Sequence, residues 1–269
     1  MQNVTVDPAS HRRYLERLID TLRNDDRVIG LVGTGSTSLG GGRDPDDWSD
    51  HDLWLVVADG AEEDFRTDPS WLPDSGRIVL WMRETRHGMK GVYDDGHFVE
   101  PAVFRADELE VTRVNDCEVL LGPPWLEGRM EQIRAATVAG TARRDRGFLA
   151  GQFVTNLLVG VGRYARGERL SGHDFVKVQG AGHLLELAAG VLEPAEPGVV
   201  DDLTAWRRVE RAFPLLAAEV DDALLLAVPR AAEALLDAAE RHVAPAVPEW
   251  PAAAASVVRA RIVAAGATE

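Results

Sequence analysis

The residues best placed to do chemistry are Asp50 and Asp52, which flank His51 at the head of the apolar run HDLWLVV, 51–57. Alternate side chains of a strand share a face, so the two aspartates point one way and His51 the other. Two carboxylates that close to a buried strand lose hydration and repel each other unless a cation neutralises them. Hard oxygen ligands so placed form a seat for one or two Mg2+ ions, which can also hold the oxygens of a triphosphate. A third carboxylate is then expected from a neighbouring strand. Glu100, set inside the apolar run HFVEPAVF, 97–104, is the candidate, as a metal ligand or as the base that accepts a hydroxyl proton. The competing reading makes Glu100 a surface acid on an edge strand, because Pro101 beside it cannot donate to a ladder.

Upstream lies the turn GTGSTSLGGG, 33–42. A Walker A loop needs a lysine after its glycines, and none follows here. A dinucleotide fingerprint needs a third glycine and a later acid, and neither falls at the right place. The remaining reading joins the turn to the acids. A strand over 27–33 delivers the chain into a glycine turn where backbone amides approach a phosphate closely. Gly35 and Ser36 then become the nucleotide-binding pair, Ser36 adding a hydroxyl donor at the start of a helix.

Stepping outward, the elements that must hold these groups can be read from periodicity and punctuation. Asp7-Pro8 starts a helix as N-cap and N1, and Tyr14, Leu15, Leu18, Ile19 and Leu22 follow at helical spacing. Strands are expected at 27–33, 51–57, 76–83 and 97–104, with Asp94-Asp95-Gly96 as a hairpin turn. Cys117 is expected just after a helix, as a buried small hydrophobe. After LLGPPWLEG, 120–128, the texture turns to alanine, leucine and arginine. Helices are expected over 143–167, with Gly167 as C-cap, and in HDFVKVQGAGHLLELAAGVL, DLTAWRRVERAFPLL and PRAAEALLDAAERHV. Asp201-Asp202 and Asp221-Asp222 read as helix beginnings. The fold class is α+β: a small mixed sheet with flanking helices over 1–128, then an all-α bundle over 129–269 that binds substrate or dimerises.

With 269 residues, 45% of them hydrophobic, the chain can bury a substantial core. The formal net charge of −15 argues against nucleic acid as a partner, since such binding neutralises phosphates with Lys and Arg. The same field concentrates cationic small molecules, or serves solubility alone. One cysteine excludes an internal disulfide and a Cys-based zinc site. No apolar leader and no membrane-length run is read, so a cytoplasmic protein with no membrane partner is expected. A homodimer with a shared cleft is compatible with the apolar helical half.

Gly-Ser, a spacer, Asp-x-Asp entering an apolar strand and a later strand acid together resemble the nucleotidyltransferase superfamily of the polymerase β type. The stretches DRVIGLVGTGS, DDWSDHDLWLVVAD and VEPAVFRADEL carry the likeness. FLAGQFVTNLLVGVGRYARGE is similar to the first long C-terminal helix of the lincosamide enzymes, within the lincosamide and aminoglycoside nucleotidyltransferases. The resemblance implies that Gly35 and Ser36 bind nucleotide phosphates, that Asp50 and Asp52 hold Mg2+, and that Glu100 is base or third ligand. It implies transfer of a nucleotidyl group, usually AMP from ATP, to a drug hydroxyl with release of pyrophosphate.

Many relatives place a basic residue soon after Gly-Ser, whereas Thr37, Ser38 and Leu39 stand here. Phosphate charge must then be met elsewhere, with Arg43 and Lys177 as candidates. Asp44, Asp46 and Asp47 read as a solvated loop or as the rim that docks a cationic substrate. Trp48 is read as packing or as a stacking platform, Gln152 and Asn156 as facing cleft or water, and Glu84, His87 and the loop RHGMKG, 86–91, as flanking an acceptor. A catalytically weak nucleotide-binding regulator or antitoxin-like protein is the alternative, and a sugar-nucleotide transferase fits the Gly-Ser turn less well.

Overall fold

The computed structural model describes residues 8–37, 46, 48–141 and 145–266, with residues 8–10, 36, 141 and 266 described in their backbone alone. The chain divides into two compact units, residues 1–138 and 139–269.

The first unit is built on a six-stranded sheet of order β3-β4-β5-β2-β1-β6. Its strands are β1 (Val28–Thr34), β2 (His51–Val57), β3 (Ile78–Arg83), β4 (Met89–Tyr93), β5 (Phe98–Arg105) and β6 (Cys117–Leu121). β2 and β5 run parallel, and the other neighbours are antiparallel. Both faces of β2 are covered, which is why its sequence is a continuous apolar run. Leu53, Leu55 and Val57 pack with Tyr14, Leu15, Leu18 and Leu22 of helix α1 (Pro8–Leu22). Val56 and Trp54 face the other way, with Val32, Phe104 and helix α3 (Pro124–Thr141), a short α2 (Glu62–Thr67) lying between β2 and β3 in sequence.

The division at residue 138 falls within helix α3, which packs on the sheet of the first unit. Leu126, Met130 and Ile133 are buried against the sheet, and each contributes about 1.5–3 kcal/mol by leaving water. The proline-glycine punctuation at 122–124 therefore marks a helix start rather than a linker. β4 and β6 are strands where the periodicity predicts none, and Cys117 opens β6 instead of following a helix. Asp7 lies outside the described residues.

The second unit is helical: α4 (Arg146–Ala165), α5 (Arg169–His173), a π-helical turn at Asp174–Gly180, α6 (Ala181–Val191), α7 (Val209–Ala212), α8 (Pro214–Leu224), α9 (Val228–His242) and α10 (Ala252–Gly266). Asp145 caps α4 by accepting from the Phe148 amide at 2.8 Å, and Gly167 turns the chain out at φ +87°. Phe153, Leu157, Leu184, Leu235 and Leu236 form its core. DLTAWRRVERAFPLL does not make one helix: Arg208 sits at φ +64° and Pro214 starts a new one. Asp221 and Asp222 lie in the last turn of α8, not its first, and Asp201 caps a turn by accepting from the Leu203 and Thr204 amides. Among the described residues, no helix is long and apolar enough to cross a membrane.

Candidate active site

β1 ends at Thr34 and the chain turns at once through Gly35–Thr37, a single tight helical turn. Two glycines make this possible. At Gly33 a Cβ would stand 2.8 Å from the Thr37 carbonyl, so only hydrogen lets the turn fold back on its strand. Gly35 adopts φ +57°, a left-handed conformation that a side chain disfavours, and its missing Cβ would lie 2.9 Å from Asp52 Oδ2. The glycine turn and the second aspartate are thus in direct apposition.

Thr37, wholly buried, fastens the turn to β2. Its hydroxyl oxygen accepts from the Asp52 amide at 2.9 Å and lies 3.5 Å from the Asp50 carbonyl, long for a hydrogen bond. Asp50's carbonyl also accepts from His11 Nε2 at 3.1 Å. Behind the strand, His51 is buried and stacks on His11 with ring centroids 3.5 Å apart. Its Nδ1 meets His97 Nε2 at 2.7 Å and its Nε2 meets the His11 carbonyl at 3.2 Å. A carbonyl only accepts, so His51 carries its proton on Nε2 and receives at Nδ1 from His97. Burial lowers the pKa of His11, His51 and His97, that of His51 most strongly.

Parallel pairing sets Asp52 opposite Glu100. Alternation adds Asp50, and one carboxylate oxygen from each of Asp50, Asp52 and Glu100 lies within 4.8 Å of the others. Oxygens sharing one Mg2+ at about 2.0–2.1 Å stand up to about 4.2 Å apart, so small side-chain rotations close this set on an ion. An all-oxygen donor set of three acids, each half-buried, suits Mg2+ or Mn2+ and not a soft metal.

β5 is a central strand, which overturns the edge-strand reading of Glu100. Pro101 is accommodated because its position falls in a gap of the β4 ladder. Pairing there covers Val99, and the next amide of the same parity, Val103, donates instead to the His87 carbonyl at 2.9 Å. Continuing the β4–β5 register from Gly91↔Val99 by one residue sets Lys90 opposite Glu100, and their side chains form an ion pair at 3.2 Å. The same ammonium lies 2.6 Å from Glu84. Hydrogen bonds to Glu84 first and Glu100 second raise the pKa of Lys90, so it is held charged. Met82, Lys90, Glu100, Asp52, Thr34 and Cys117 make one row across all six strands.

Thr37 is expected only as an absent base and Lys90 only as part of the loop RHGMKG, and neither role anticipates its contact with the acids. Counting equal steps either side of Asp95 in the hairpin pairs residue 90 with residue 100, a signal lost because MKGVY was not read as a strand. Of the other candidates, Gly35 adjoins the acids, while Ser36 is described in its backbone only. Arg43, Asp44 and Asp47 lie outside the described residues. Lys177 belongs to the helical unit, where its ammonium donates to the Leu224 carbonyl at 2.7 Å and burial lowers its pKa. Asn156 is buried beside His183 Nδ1 at 3.2 Å, Trp48 is almost fully exposed, and His87 stacks on Phe104.

No family model and no curated protein matches the chain. Among solved structures, an aminoglycoside 6-adenyltransferase from Bacillus subtilis is similar over 96% of this chain and 98% of its own, at 13% identity and a TM-score of 0.38. The STING-associated CdnE c-di-GMP synthase from Capnocytophaga granulosa matches over 97% and 81%, at 12% identity and a TM-score of 0.28. The Bradyrhizobium diazoefficiens CD-NTase CdnG, solved in complex with GTP, matches over 97% and 86%, at 14% identity and a TM-score of 0.25. At these scores the likenesses carry no argument about chemistry, which rests on three acids and the turn beside them.

Proposed function

We propose that the protein is a Mg2+-dependent nucleotidyltransferase that moves a nucleotidyl group, AMP from ATP by the resemblance of its motifs, onto a hydroxyl of a small cationic acceptor. The observation that carries this reading is the convergence of Asp50, Asp52 and Glu100 beside the Gly35 turn. When bound, a divalent ion supplies charge neutralisation at the α-phosphate and acidifies the attacking hydroxyl. Asp50 and Asp52 hold that ion. Glu100 lends one oxygen to the same seat and takes the acceptor's proton as the new O–P bond forms and pyrophosphate leaves. Gly35 and Ser36 present backbone amides to the triphosphate. An acceptor bearing positive charge fits a chain of net charge −15, and aminoglycosides and lincosamides are the first classes to try.

The test is to incubate the full chain with Mg2+, each of the four nucleoside triphosphates and a panel of those antibiotics, reading acceptor masses. A gain of one nucleotidyl unit, absent with Asp50→Ala, supports the reading and names both substrates. A protein that binds nucleotide yet modifies no hydroxylated acceptor is a regulator instead.

A further inference from the structure

The acid cluster already has a cation of its own. Lys90 reaches it from β4, 3.2 Å from Glu100, and is tied at its other side to Glu84 at the shorter distance of 2.6 Å. Both contacts come from ordinary sheet geometry, Lys90 lying opposite Glu100 by register and opposite Met82 on β3. The Lys90 side chain is about a third exposed, so it has room to move. Three carboxylates carry −3. Lys90 is shared with Glu84, whose carboxylate offsets its charge, so one divalent ion brings the seat to −1.

We infer that Lys90 is a positioning residue that acts as the resident counter-ion of the metal seat: it holds Glu100 before an ion enters and withdraws onto Glu84 when one does. This rests on the reading above that the three acids hold a divalent ion. Glu84 is then the parking partner, and its shorter contact keeps Lys90 anchored through the exchange. Two consequences have opposite sign. Without Lys90 the ion meets no ammonium competing for Glu100. Without Glu84, Lys90 leans wholly on Glu100 and competes harder.

The experiment is calorimetric titration of the full-length protein with Mn2+ alone, without nucleotide or acceptor, so that turnover plays no part. Lys90→Met is expected to lower the Kd by about tenfold, the size of effect of removing one charge about 5 Å from a divalent ion in a well-solvated site. Glu84→Gln is expected to raise the Kd several-fold in the native background and to leave it unchanged in Lys90→Met. Thermal melts of each variant verify folding. An unchanged or weaker Kd in Lys90→Met, or an equal Glu84→Gln effect in both backgrounds, overturns the role of Lys90 while leaving the metal seat standing. Mn2+ binding that survives Asp52→Asn undiminished sinks the seat itself, and the Lys90 proposal with it.

Discussion

Asp52 and Glu100 face each other across the parallel pair β2 and β5, although 48 residues of sequence separate them. A parallel pair needs a crossover, and here it carries α2, β3 and β4, the last of which brings Lys90 to Glu100. The same excursion that aligns the acids therefore delivers their counter-charge.

Replacing Asp52 by Asn keeps the shape and removes one charge from the seat. Nucleotidyl transfer is expected to fall at least about a thousandfold, since the ion supplies several kcal/mol of transition-state stabilisation. Circular dichroism should report an unchanged fold. Transfer within tenfold of the native rate would show that Asp52 holds no ion.

Thr37→Ala strips the buried acceptor from the Asp52 amide. An unsatisfied buried amide costs about 1–3 kcal/mol, so the melting temperature should fall by several degrees. Thr37→Ser keeps the oxygen and should restore both stability and Mn2+ affinity. If Ser behaves like Ala, the methyl packing matters and the hydrogen bond does not.

Gly35→Ala places a methyl 2.9 Å from Asp52 Oδ2 in a left-handed conformation that costs about 1–2 kcal/mol. The loss of Mn2+ affinity should exceed what that strain does to stability, because the clash pushes on the carboxylate itself. Titration and melting of one preparation compare the two.

Acid should destabilise the chain earlier than its carboxylates alone would allow. His11, His51 and His97 have folded pKa values below the ordinary 6.5, burial being the largest cause for each. Tyr14 and Tyr93 also enclose them, Asp50 and Asp95 favour protonation, and Arg77 opposes it at His97. Well above pH 6.5 the folded and unfolded chains both keep neutral rings, and no histidine proton is linked to folding. As pH falls through 6.5 the unfolded chain binds protons that the folded chain refuses, so stability declines towards pH 5. Protonated His51 would also point an N–H at the His97 donor across 2.7 Å. Melting temperatures at pH 7.5 and 5.5 should differ, and less so in His97→Asn. A flat profile would place these rings in contact with water.

Much of the site is legible in the chain. A strict period of two turns Asp50 and Asp52 to one face of β2 and His51 to the other, and it needs no partner strand to do so. Apolar runs locate β1, β2 and β5, and the glycine turn after β1 is a local property of residues that tolerate positive φ. These depend on neighbours along the chain, which the sequence lists in order.

What lies across the sheet had to come from tertiary structure. Pro101 reads as an edge marker, yet β5 is central, because the amide it lacks falls in a gap of the neighbouring ladder. Lys90 reads as a loop residue and Thr37 as a missing base. Each takes its role from a contact 10 or 15 residues away in sequence, set by register and by how a turn closes. Periodicity assigns a side chain to a face of its own strand, but pairing decides which charge stands opposite it. So the three acids are legible in the sequence, while the pairing that sets Lys90 against Glu100 belongs to the sheet.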